Sequence, residues 1–402
     1  MAGFILRVAA ALVAVLGALL YQIQFPRMVK LGLGIGRTLE PLNSFPYTCR
    51  RVYHDRLKAC EDMWLSESTR QLFLACSDPL SRAQWMPNMG HFNVSGMNLD
   101  DSIVVIDVDD LKAGSDVEPR ILKRPGFSGT NGDGRIHLVG MTGVDDGDGS
   151  IRLWIINLKP SVDPATGEVL DQHKVGPNST VELFRTGSRA EQLDHVTTFA
   201  HPQIGSPNRI AAVGGDSDNF YYTNDHGVAK VGLKHHLSPL IGSGDVSFCN
   251  GSECRRVVAG QHFPNGLAKG QDGLIYVPSS LHGTVDVYQR QPNGDLVLKD
   301  SIDAGYSLDN LSLDRDGNFW VAAFPDSMKF FAANSDPYNK DTPTTALKIS
   351  KKADGGYEVT KALEDGLGEV LPGATTVVHD VETGRVFFSS VFAPYIAVCE
   401  PN

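Results

Sequence analysis

Five short stretches of the chain place an oxygen- or nitrogen-bearing side chain immediately before a run of apolar residues. The clearest is Leu308-Asp309-Asn310-Leu311, where a carboxylate and an amide stand side by side at the start of an alternating apolar segment. Calcium in proteins takes about six to eight oxygen ligands from carboxylates, amides and water. Two carboxylates would cancel its charge, and the pattern predicts one calcium site with the ligands Glu61, Asn208, Asn265, Asp309 and Asn310. A weaker form of the same pattern contains His137.

Taken singly, each of these residues is more often part of a turn than a metal ligand, so the prediction depends on their recurrence. Metals that prefer nitrogen or sulfur are disfavoured because no His or Cys cluster has ligand spacing. A serine hydrolase is disfavoured because the sequence has no Gly-x-Ser-x-Gly motif. The runs 131–134 and 145–149 resemble calcium loops, but both lack the Glu that closes such a loop. We interpret both runs as turns.

The elements that must position these residues are short strands. The chain has 402 residues with 41 Gly and 22 Pro, and about two dozen short apolar runs alternate with turns. Such spacing fits a sandwich, a barrel or a propeller, and the strand count favours an all-β, six-bladed β-propeller with four-stranded blades. The innermost strands of a propeller begin at its central channel, where the predicted ligands would meet. Residues 328–332 are counted among the predicted strands.

Charge and the N-terminal segment limit the range of partners. The net charge is −11 with no Lys/Arg stripe, so nucleic acid is disfavoured as a partner. Residues 4–21 are apolar apart from Arg7, which predicts a hydrophobic helix acting as a signal-anchor or a cleaved signal peptide. We therefore divide the chain into a signal segment (1–25), a linker (26–48) and the propeller (49–402). A membrane-anchored or secreted protein of the secretory pathway is expected, with the membrane as a partner of the N-terminal segment.

Six cysteines point to an oxidising compartment. Cys249 and Cys254 bracket a tight loop, and Cys60 and Cys76 flank a predicted hairpin, which leaves Cys49 and Cys399 to tie the two ends together. Other pairings stay open, because six cysteines allow about fifteen connectivities. Three sequons predict glycosylation at Asn93, Asn178 and Asn250. Asn310 also lies in a sequon, but as a buried ligand it should stay unmodified.

From Cys49 to Cys399 the chain resembles the serum paraoxonase/arylesterase family, which is related to gluconolactonase-type propellers. The resemblance rests on the order of several short motifs, among them Glu61-Asp62, Thr223-Asn224-Asp225-His226, Phe263-Pro264-Asn265-Gly266 and Asp309-Asn310-Leu311-Ser312. It implies a six-bladed propeller that is closed by a Cys49–Cys399 bridge. It also implies that Glu61, Asn208, Asn265, Asp309 and Asn310 bind a catalytic calcium ion.

The chain departs from this family at two positions. Relatives commonly bind a second, structural calcium with an Asp where this chain has Arg209. We predict no second calcium here and expect an ion pair between Asp62 and Arg209 in its place. The family also uses two histidines to handle the attacking water. His137 matches the first, but Leu158 occupies the position of the second, so the histidine dyad is broken.

These observations predict a calcium-dependent carboxylic ester hydrolase that acts on lactones or aryl esters. The ion would polarise the carbonyl and stabilise the oxyanion, and His137, or failing it Asp309, would take a proton from water. The missing histidine motivates an alternative, an isomerase or cyclase on the same scaffold. A third reading is a lumenal propeller that binds a partner without catalysis, since fold alone does not determine function.

Overall fold

Four-stranded antiparallel sheets make up most of the computed structural model, which describes residues 2–22, 24–111, 117–130, 132–215, 217–251 and 253–402. Helices α1 (Ala2–Gln22) and α2 (Phe25–Gly32) precede strand β1 (Tyr47–Val52). Blade one contains β2 (Asp62–Ser66), β3 (Gln71–Cys76), β6 (Ser102–Asp107) and β7 (Arg120–Ile121). Between β3 and β6 lie α3 (Pro79–Arg82), β4 (Trp85–Met86) and β5 (His91–Phe92).

Blades two to four follow the same strand order. Blade two contains β8 (Leu138–Asp145), β9 (Ser150–Lys159), α4 (Gln172–Val175), β10 (Asn178–Gly187) and β11 (Asp194–Phe199). Blade three contains β12 (Pro207–Gly214), β13 (Ser217–Asn224), α5 (Gly232–Ile241), β14 (Gly244–Asn250) and β15 (Glu253–Gln261). Blade four contains β16 (Ala268–Lys269), β17 (Ile275–Ser279), β18 (Thr284–Arg290) and β19 (Leu296–Asp303).

The last two blades complete the ring. Blade five contains β20 (Ser307–Leu313), β21 (Phe319–Phe324), α6 (Ser327–Asn334), β22 (Thr344–Lys351) and β23 (Tyr357–Asp365). Blade six contains β24 (Thr376–Asp380), β25 (Arg385–Ser389) and β26 (Ile396–Pro401). Its fourth strand is β1, which pairs antiparallel with β26 so that Cys49 lies opposite Cys399. The prediction of a six-bladed propeller closed by its two ends is confirmed.

All three disulfides join the cysteines that the spacing paired: Cys49–Cys399, Cys60–Cys76 and Cys249–Cys254. The first closes the ring covalently across 350 residues. Because a disulfide acts mainly by restricting the unfolded chain, the longest loop should stabilise the fold most.

We expect the double variant Cys49→Ala/Cys399→Ala to lose about 6 kcal/mol of unfolding free energy in the chain-entropy model. The matched control, Cys249→Ala/Cys254→Ala, removes a bridge across only 5 residues and should lose about 2 kcal/mol. Urea unfolding of both variants measures the difference. Equal losses would show that the bridge between the ends does not act through loop closure.

The six innermost strands, β2, β8, β12, β16, β20 and β24, lie next to one another around a central hub. Three of them have a break in register near their start, where two residues face one on the adjacent strand. Such one-residue insertions are β-bulges, which re-aim side chains and recur next to active sites. The bulges contain Val139-Gly140, Asn208-Arg209 and Asp309-Asn310.

The bulge on β20 redirects its backbone to neighbouring blades. The N–H of Asn310 donates to Thr375 O at 3.1 Å, and the N–H of Leu311 donates to Gly266 O at 2.9 Å. Both N–H groups thus donate to residues outside their own blade, one on each side of β20. These contacts between blades therefore stabilise the hub and the direction in which Asp309 and Asn310 point.

One predicted strand is a helix. Residues 328–332 lie in α6, not in a strand, so that prediction is wrong. The Asp326 side chain accepts hydrogen bonds from the N–H groups of Met328 and Lys329 at 3.0 and 3.2 Å, which is an N-cap. Phe330 and Ala333 are buried three residues apart, as expected for one face of a helix.

The N-terminal segment reaches the propeller through α2. Met28 and Leu31 are buried, and Arg27 donates to His282 O at 2.7 Å and pairs with Asp303. In the described part of the chain, no single helix has the length and apolar character to cross a membrane. Residues 7–22 and 25–32, which meet at 60°, satisfy that test only as a bent pair, and a signal sequence satisfies it as well. Met1 and Ile23 of the predicted signal segment lie outside the described residues.

Candidate metal centre

The predicted ligands lie at the mouths of four inner strands. Glu61 directly precedes β2, Asn265 precedes β16, Asn208 lies in the bulge of β12, and Asp309 and Asn310 form the bulge of β20. All five side chains are buried, with exposed fractions of at most 8%. Polar groups at this depth require partners, because an unsatisfied buried donor or acceptor costs about 1–3 kcal/mol.

Glu61 and Asn310 are in direct contact. Asn310 Nδ2 donates to Glu61 Oε1 at 3.0 Å and to Thr376 Oγ1 at 2.9 Å. The hydroxyl groups of Thr375 and Thr376 both donate to the backbone O of Glu61, at 2.8 and 2.9 Å. These contacts join the mouths of β20, β24 and β2 and hold the carbonyl side of the Asn310 amide away from Glu61.

Asn265 lies in the adjoining Pro-Asn-Gly turn. Its Oδ1 accepts a hydrogen bond from Gly266 N at 2.8 Å, and its Nδ2 donates to Ser280 Oγ at 3.2 Å. A Cβ at residue 266 would collide with Asn310 Oδ1, so glycine is required for this close approach. The amide oxygen of Asn265 keeps one lone pair for another partner.

Three oxygens of the predicted set have no hydrogen-bond partner among the residues that the structure describes: Glu61 Oε2, Asn208 Oδ1 and Asn310 Oδ1. Burial raises the pKa of Glu61, and the Asp62 carboxylate adds to the rise. Burial also raises the pKa of Asp309 well above its ordinary value, with further contributions from Glu61 and Asp62. Buried acceptors and mutually repelling carboxylates are what a bound cation would stabilise, so the donor set fits calcium.

Within the described residues, no three His, Cys, Asp or Glu side chains form a metal cluster. The predicted set is not of that kind, because it has two carboxylates and draws its other donors from amides. Calcium accepts amide oxygens, whereas zinc and similar ions favour nitrogen and sulfur.

Asn208 is connected to a second polar network. Asn88 Nδ2 donates to Asp225 Oδ2 at 2.7 Å and to Pro207 O at 3.1 Å. Burial raises the pKa of Asp225 to about 6, an effect that the amides of Asn88 and Asn208 oppose. His226 Nε2 lies 2.8 Å from Asn88 O. The Asp225-His226 segment therefore holds the loop around Asn88 against the mouth of β12.

Asp62 and Arg209 lie side by side below the predicted ligands. Arg209 Nε donates to Asp62 Oδ2 at 2.8 Å, and its other nitrogens donate to Leu311 O and Met63 O. Both side chains are buried, and the guanidinium spans the channel from β12 to β2 and β20. A cavity of about 540 Å³ continues beyond it to the opposite end of the channel. The guanidinium occupies the space beside Asp62.

Replacing Arg209 with Met should leave the Asp62 carboxylate buried without its counter-charge. We expect a loss of about 3–5 kcal/mol in unfolding free energy, since breaking one half of a buried pair is strongly destabilising. Arg315→Met is the control, because Arg315 is half exposed and lies 4.0 Å from Glu67; its loss should stay below about 1 kcal/mol. Thermal and urea unfolding compare the two, and equal small losses would show that the Arg209 pair contributes little.

His137 lies next to Leu158, the residue in place of a second histidine. Leu158 N donates to His137 O at 2.8 Å, and both side chains are buried. His137 N donates to Asn157 Oδ1 at 2.9 Å, while its Nε2 has no partner in the described ranges. Burial lowers the pKa of His137, so the ring is neutral at physiological pH and can accept a proton at Nε2.

Residues 79–93, here named the cap segment, cover the mouths of the inner strands. Trp85 Nε1 donates to Leu158 O at 2.8 Å, and Asn88 makes the contacts to Pro207 and Asp225 already described. An apolar cluster joins this segment to the far side of the hub through Met86, Leu158, Phe324, Phe330 and Phe392. The predicted ligands and His137 are thus enclosed between the hub and an apolar roof.

Two groups at this site were missed by sequence reasoning. Thr375 directly precedes β24 and Thr376 is its first residue. Both follow the same pattern as the predicted ligands, so the sequence did contain a signal for them. Arg82, in the cap segment, is 3% exposed and donates to the backbone O of Leu138, next to His137. No motif distinguishes it from a surface arginine, because its helix has only four residues.

The three predicted glycosylation sites lie on the surface. Asn93, Asn178 and Asn250 are exposed, whereas Asn310 has no exposed surface. Ser252 of the third sequon and Asn131 of the 131–134 run lie outside the described residues. Because Asn93, Asn178 and Asn250 are exposed, their side chains are accessible for glycosylation. Glycosylation at these sites stays a prediction.

Comparison with known proteins gives the same family by sequence. The family model described as Arylesterase matches residues 163–397. Serum paraoxonase/arylesterase 1 of Homo sapiens is 31% identical over 227 residues, which are 53% of this chain and 59% of that protein. Serum paraoxonase/arylesterase 2 of Gallus gallus is 32% identical over 218 residues, with the same two shares of 53% and 59%. The chain thus spans less than two thirds of the length of each relative.

Among solved structures, a luciferin-regenerating enzyme resembles this chain with a TM-score of 0.48 and 11% sequence identity. The match covers 88% of this chain and 95% of that enzyme.

Proposed function

The chain belongs to the arylesterase family, and on that premise we propose that it is a calcium-dependent hydrolase of lactones or aryl esters. The observation that carries the proposal is the set of unpartnered buried oxygens, Glu61 Oε2, Asn208 Oδ1 and Asn310 Oδ1, at the mouths of three inner strands in the described structure. Such oxygens are costly to bury unless a cation binds them. The small-molecule ester or lactone would enter above them, beneath the cap segment.

Glu61, Asn208, Asn265, Asp309 and Asn310 would hold the calcium ion. When bound, the ion supplies a Lewis acid that polarises a carbonyl and stabilises an oxyanion. Glu61 and Asp309 together balance its charge, while Arg209 already neutralises Asp62. We therefore propose one calcium ion per chain and no second one beside Asp62.

His137 is the proposed general base, and its Nε2 would accept the proton of the attacking water. Burial lowers the pKa of His137, which keeps the ring in its accepting form. Leu158 beside it cannot relay that proton, so His137 works without a histidine partner. Asp309 would take this role if His137 does not, although as a calcium ligand it would be the weaker base.

The apolar roof shapes which substrates can bind. Phe324 and Phe330 pack with ring centres 4.3 Å apart, and Phe330 contacts Phe392 at 5.8 Å. These rings exclude bulk water from the reacting carbonyl and favour an aromatic or alkyl leaving group. Because the predicted ligands are buried, the cap segment must move before a substrate can reach them.

A screen of the purified protein tests this function. Phenyl acetate and a six-membered aliphatic lactone should both be hydrolysed with calcium present, and a calcium chelator should stop the reaction. Hydrolysis that is unaffected by chelation would overturn the role of the ion. Absence of hydrolysis in calcium-loaded protein would overturn the hydrolase assignment.

A second candidate function is supported by Leu158. With an apolar side chain where the family dyad has a histidine, water activation is weakened, and a reaction without water, such as an isomerisation or cyclisation, becomes the alternative. Calcium binding without hydrolysis of any lactone would favour it. Absence of calcium binding would favour a non-catalytic binding propeller.

The three disulfides support an oxidising compartment, so we propose an extracellular or lumenal location. Attachment to a membrane would come from the N-terminal segment, which packs on the propeller through Met28 and Leu31. Glycosylation at Asn93, Asn178 and Asn250 would follow from the same location. Separating the membrane and soluble fractions of cells that produce the chain tests the membrane proposal, and its recovery only in the soluble fraction would contradict it.

A further inference from the structure

Arg82 is a buried cation above the candidate metal centre. It ends α3 in the cap segment, and its Nη1 donates to the backbone O of Leu138, the residue that follows His137. The same nitrogen lies 3.7 Å from Met86 Sδ. Its bond to Leu138 therefore holds Arg82 next to His137, the predicted base.

The other edge of this guanidinium is unpaired. Nε and Nη2 of Arg82 have no hydrogen-bond partner in the described ranges, although the side chain is 3% exposed. An unpaired buried charge is costly, and a guanidinium cannot escape the cost by losing its proton. Two adjacent N–H groups of a buried guanidinium thus have no protein acceptor among the described residues.

The neighbouring carboxylates do not accept hydrogen bonds from Nε or Nη2 of Arg82. Asp101 already accepts hydrogen bonds from Ser77, Asn98 and the N–H of Leu138. Glu61 Oε1 accepts from Asn310, and Glu61 Oε2 has no hydrogen-bond donor among the described residues. The charges of both carboxylates stabilise the Arg82 cation through space. Neither carboxylate accepts a hydrogen bond from Nε or Nη2 of Arg82.

The free edge has the shape of a carboxylate receptor. Nε–H and Nη2–H point in parallel, and this fork matches the two oxygens of a carboxylate bidentately. A single oxyanion would occupy only one of the two donors. We propose that Arg82 binds a carboxylate that the substrate carries in addition to its reacting ester, which makes the candidate metal centre selective for anionic esters and lactones.

This inference rests on the proposed function for its chemistry, but binding tests it without turnover. Benzoate and benzamide have nearly the same shape and differ in charge. Calorimetry on calcium-loaded protein should show benzoate binding at least about 10-fold more tightly than benzamide. Arg82→Met should abolish that preference, and Arg82→Lys, which keeps the charge but not the fork, should retain only part of it.

Two results would overturn the inference. One is benzoate affinity that is unchanged in Arg82→Met, since calcium alone would then hold the carboxylate. The other is equal affinity of the wild-type protein for benzoate and benzamide. Repeating the titration without calcium separates the contributions of the ion and of Arg82. If Arg82→Met fails to fold, Arg82→Lys decides, because unchanged benzoate affinity in that folded variant would remove the role of the fork.

Turnover distinguishes failure of this inference from failure of the proposed function. p-Nitrophenyl hydrogen succinate should be hydrolysed with a KM at least about 10-fold below that of its methyl ester, and Arg82→Met should remove the difference through KM rather than kcat. Equal loss of rate for both esters would assign Arg82 a structural role and overturn the inference. Benzoate binding through Arg82 in a protein that hydrolyses neither ester would refute the hydrolase function and leave the binding site in place.

Discussion

Glu61→Gln is expected to lose calcium binding and ester hydrolysis together. The substitution keeps the size of the side chain and a carbonyl oxygen for the hydrogen bond from Asn310, but removes one of the two charges that balance the ion. The amide also places a donor among the acceptors Asn208 Oδ1 and Asn310 Oδ1, which have no partner in the described structure. Calcium affinity should fall by about 100-fold or more, and hydrolysis should fall with it.

Calorimetry with calcium and an aryl ester assay measure both effects on the same preparation. Glu67→Gln is the matched control, since Glu67 lies just beyond the far end of β2 and lines the cavity at the opposite end of the channel. It should bind calcium and hydrolyse the ester as the wild-type protein does. Full calcium affinity in Glu61→Gln would remove Glu61 from the ligand set.

His137→Gln should lose hydrolysis but keep calcium binding. General bases contribute about 100- to 10,000-fold to rates of this kind, and glutamine cannot accept the proton. In the wild-type protein the rate should be constant at neutral pH and fall on acidification, because the base must be deprotonated. Since burial lowers the pKa of His137 from 6.5, the midpoint of this fall should lie below pH 6.5.

A pH profile of kcat/KM for both proteins tests this assignment. His379→Gln is the control, because His379 is also largely buried and pairs with Asp314 at 3.0 Å, but lines the cavity at the other end of the channel. A rate in His137→Gln within about threefold of wild type, or an unchanged acidic limb, would transfer the role of base to another residue.

The position of the site could be predicted because the sequence marks where inner strands begin. An Asp or Asn ahead of an apolar strand gave the hub positions of Asn208, Asn265 and Asp309. The bulges could not be predicted, since they follow from pairing with neighbouring strands, such as Leu308 with Ala323 and Leu311 with Val321. Those bulges determine that Asp309 and Asn310 leave the ladder and point into the channel.

The cap segment and α6 illustrate a different limit. Arg82 becomes notable only through burial by residues distant in sequence, including Leu138 across 56 positions. Residues 328–332 are counted among the strands from sequence, but the Asp326 cap starts a helix there. Local patterns therefore locate the predicted ligands at the hub, whereas tertiary contacts determine what covers them.

The most direct test of the account is a calcium titration of chelator-treated protein, followed by an aryl ester assay on the same sample. We predict that one calcium ion binds per chain, that hydrolysis is absent before its addition and that calcium restores it. A protein that binds no calcium, or that hydrolyses the ester equally well without it, would contradict the central claim.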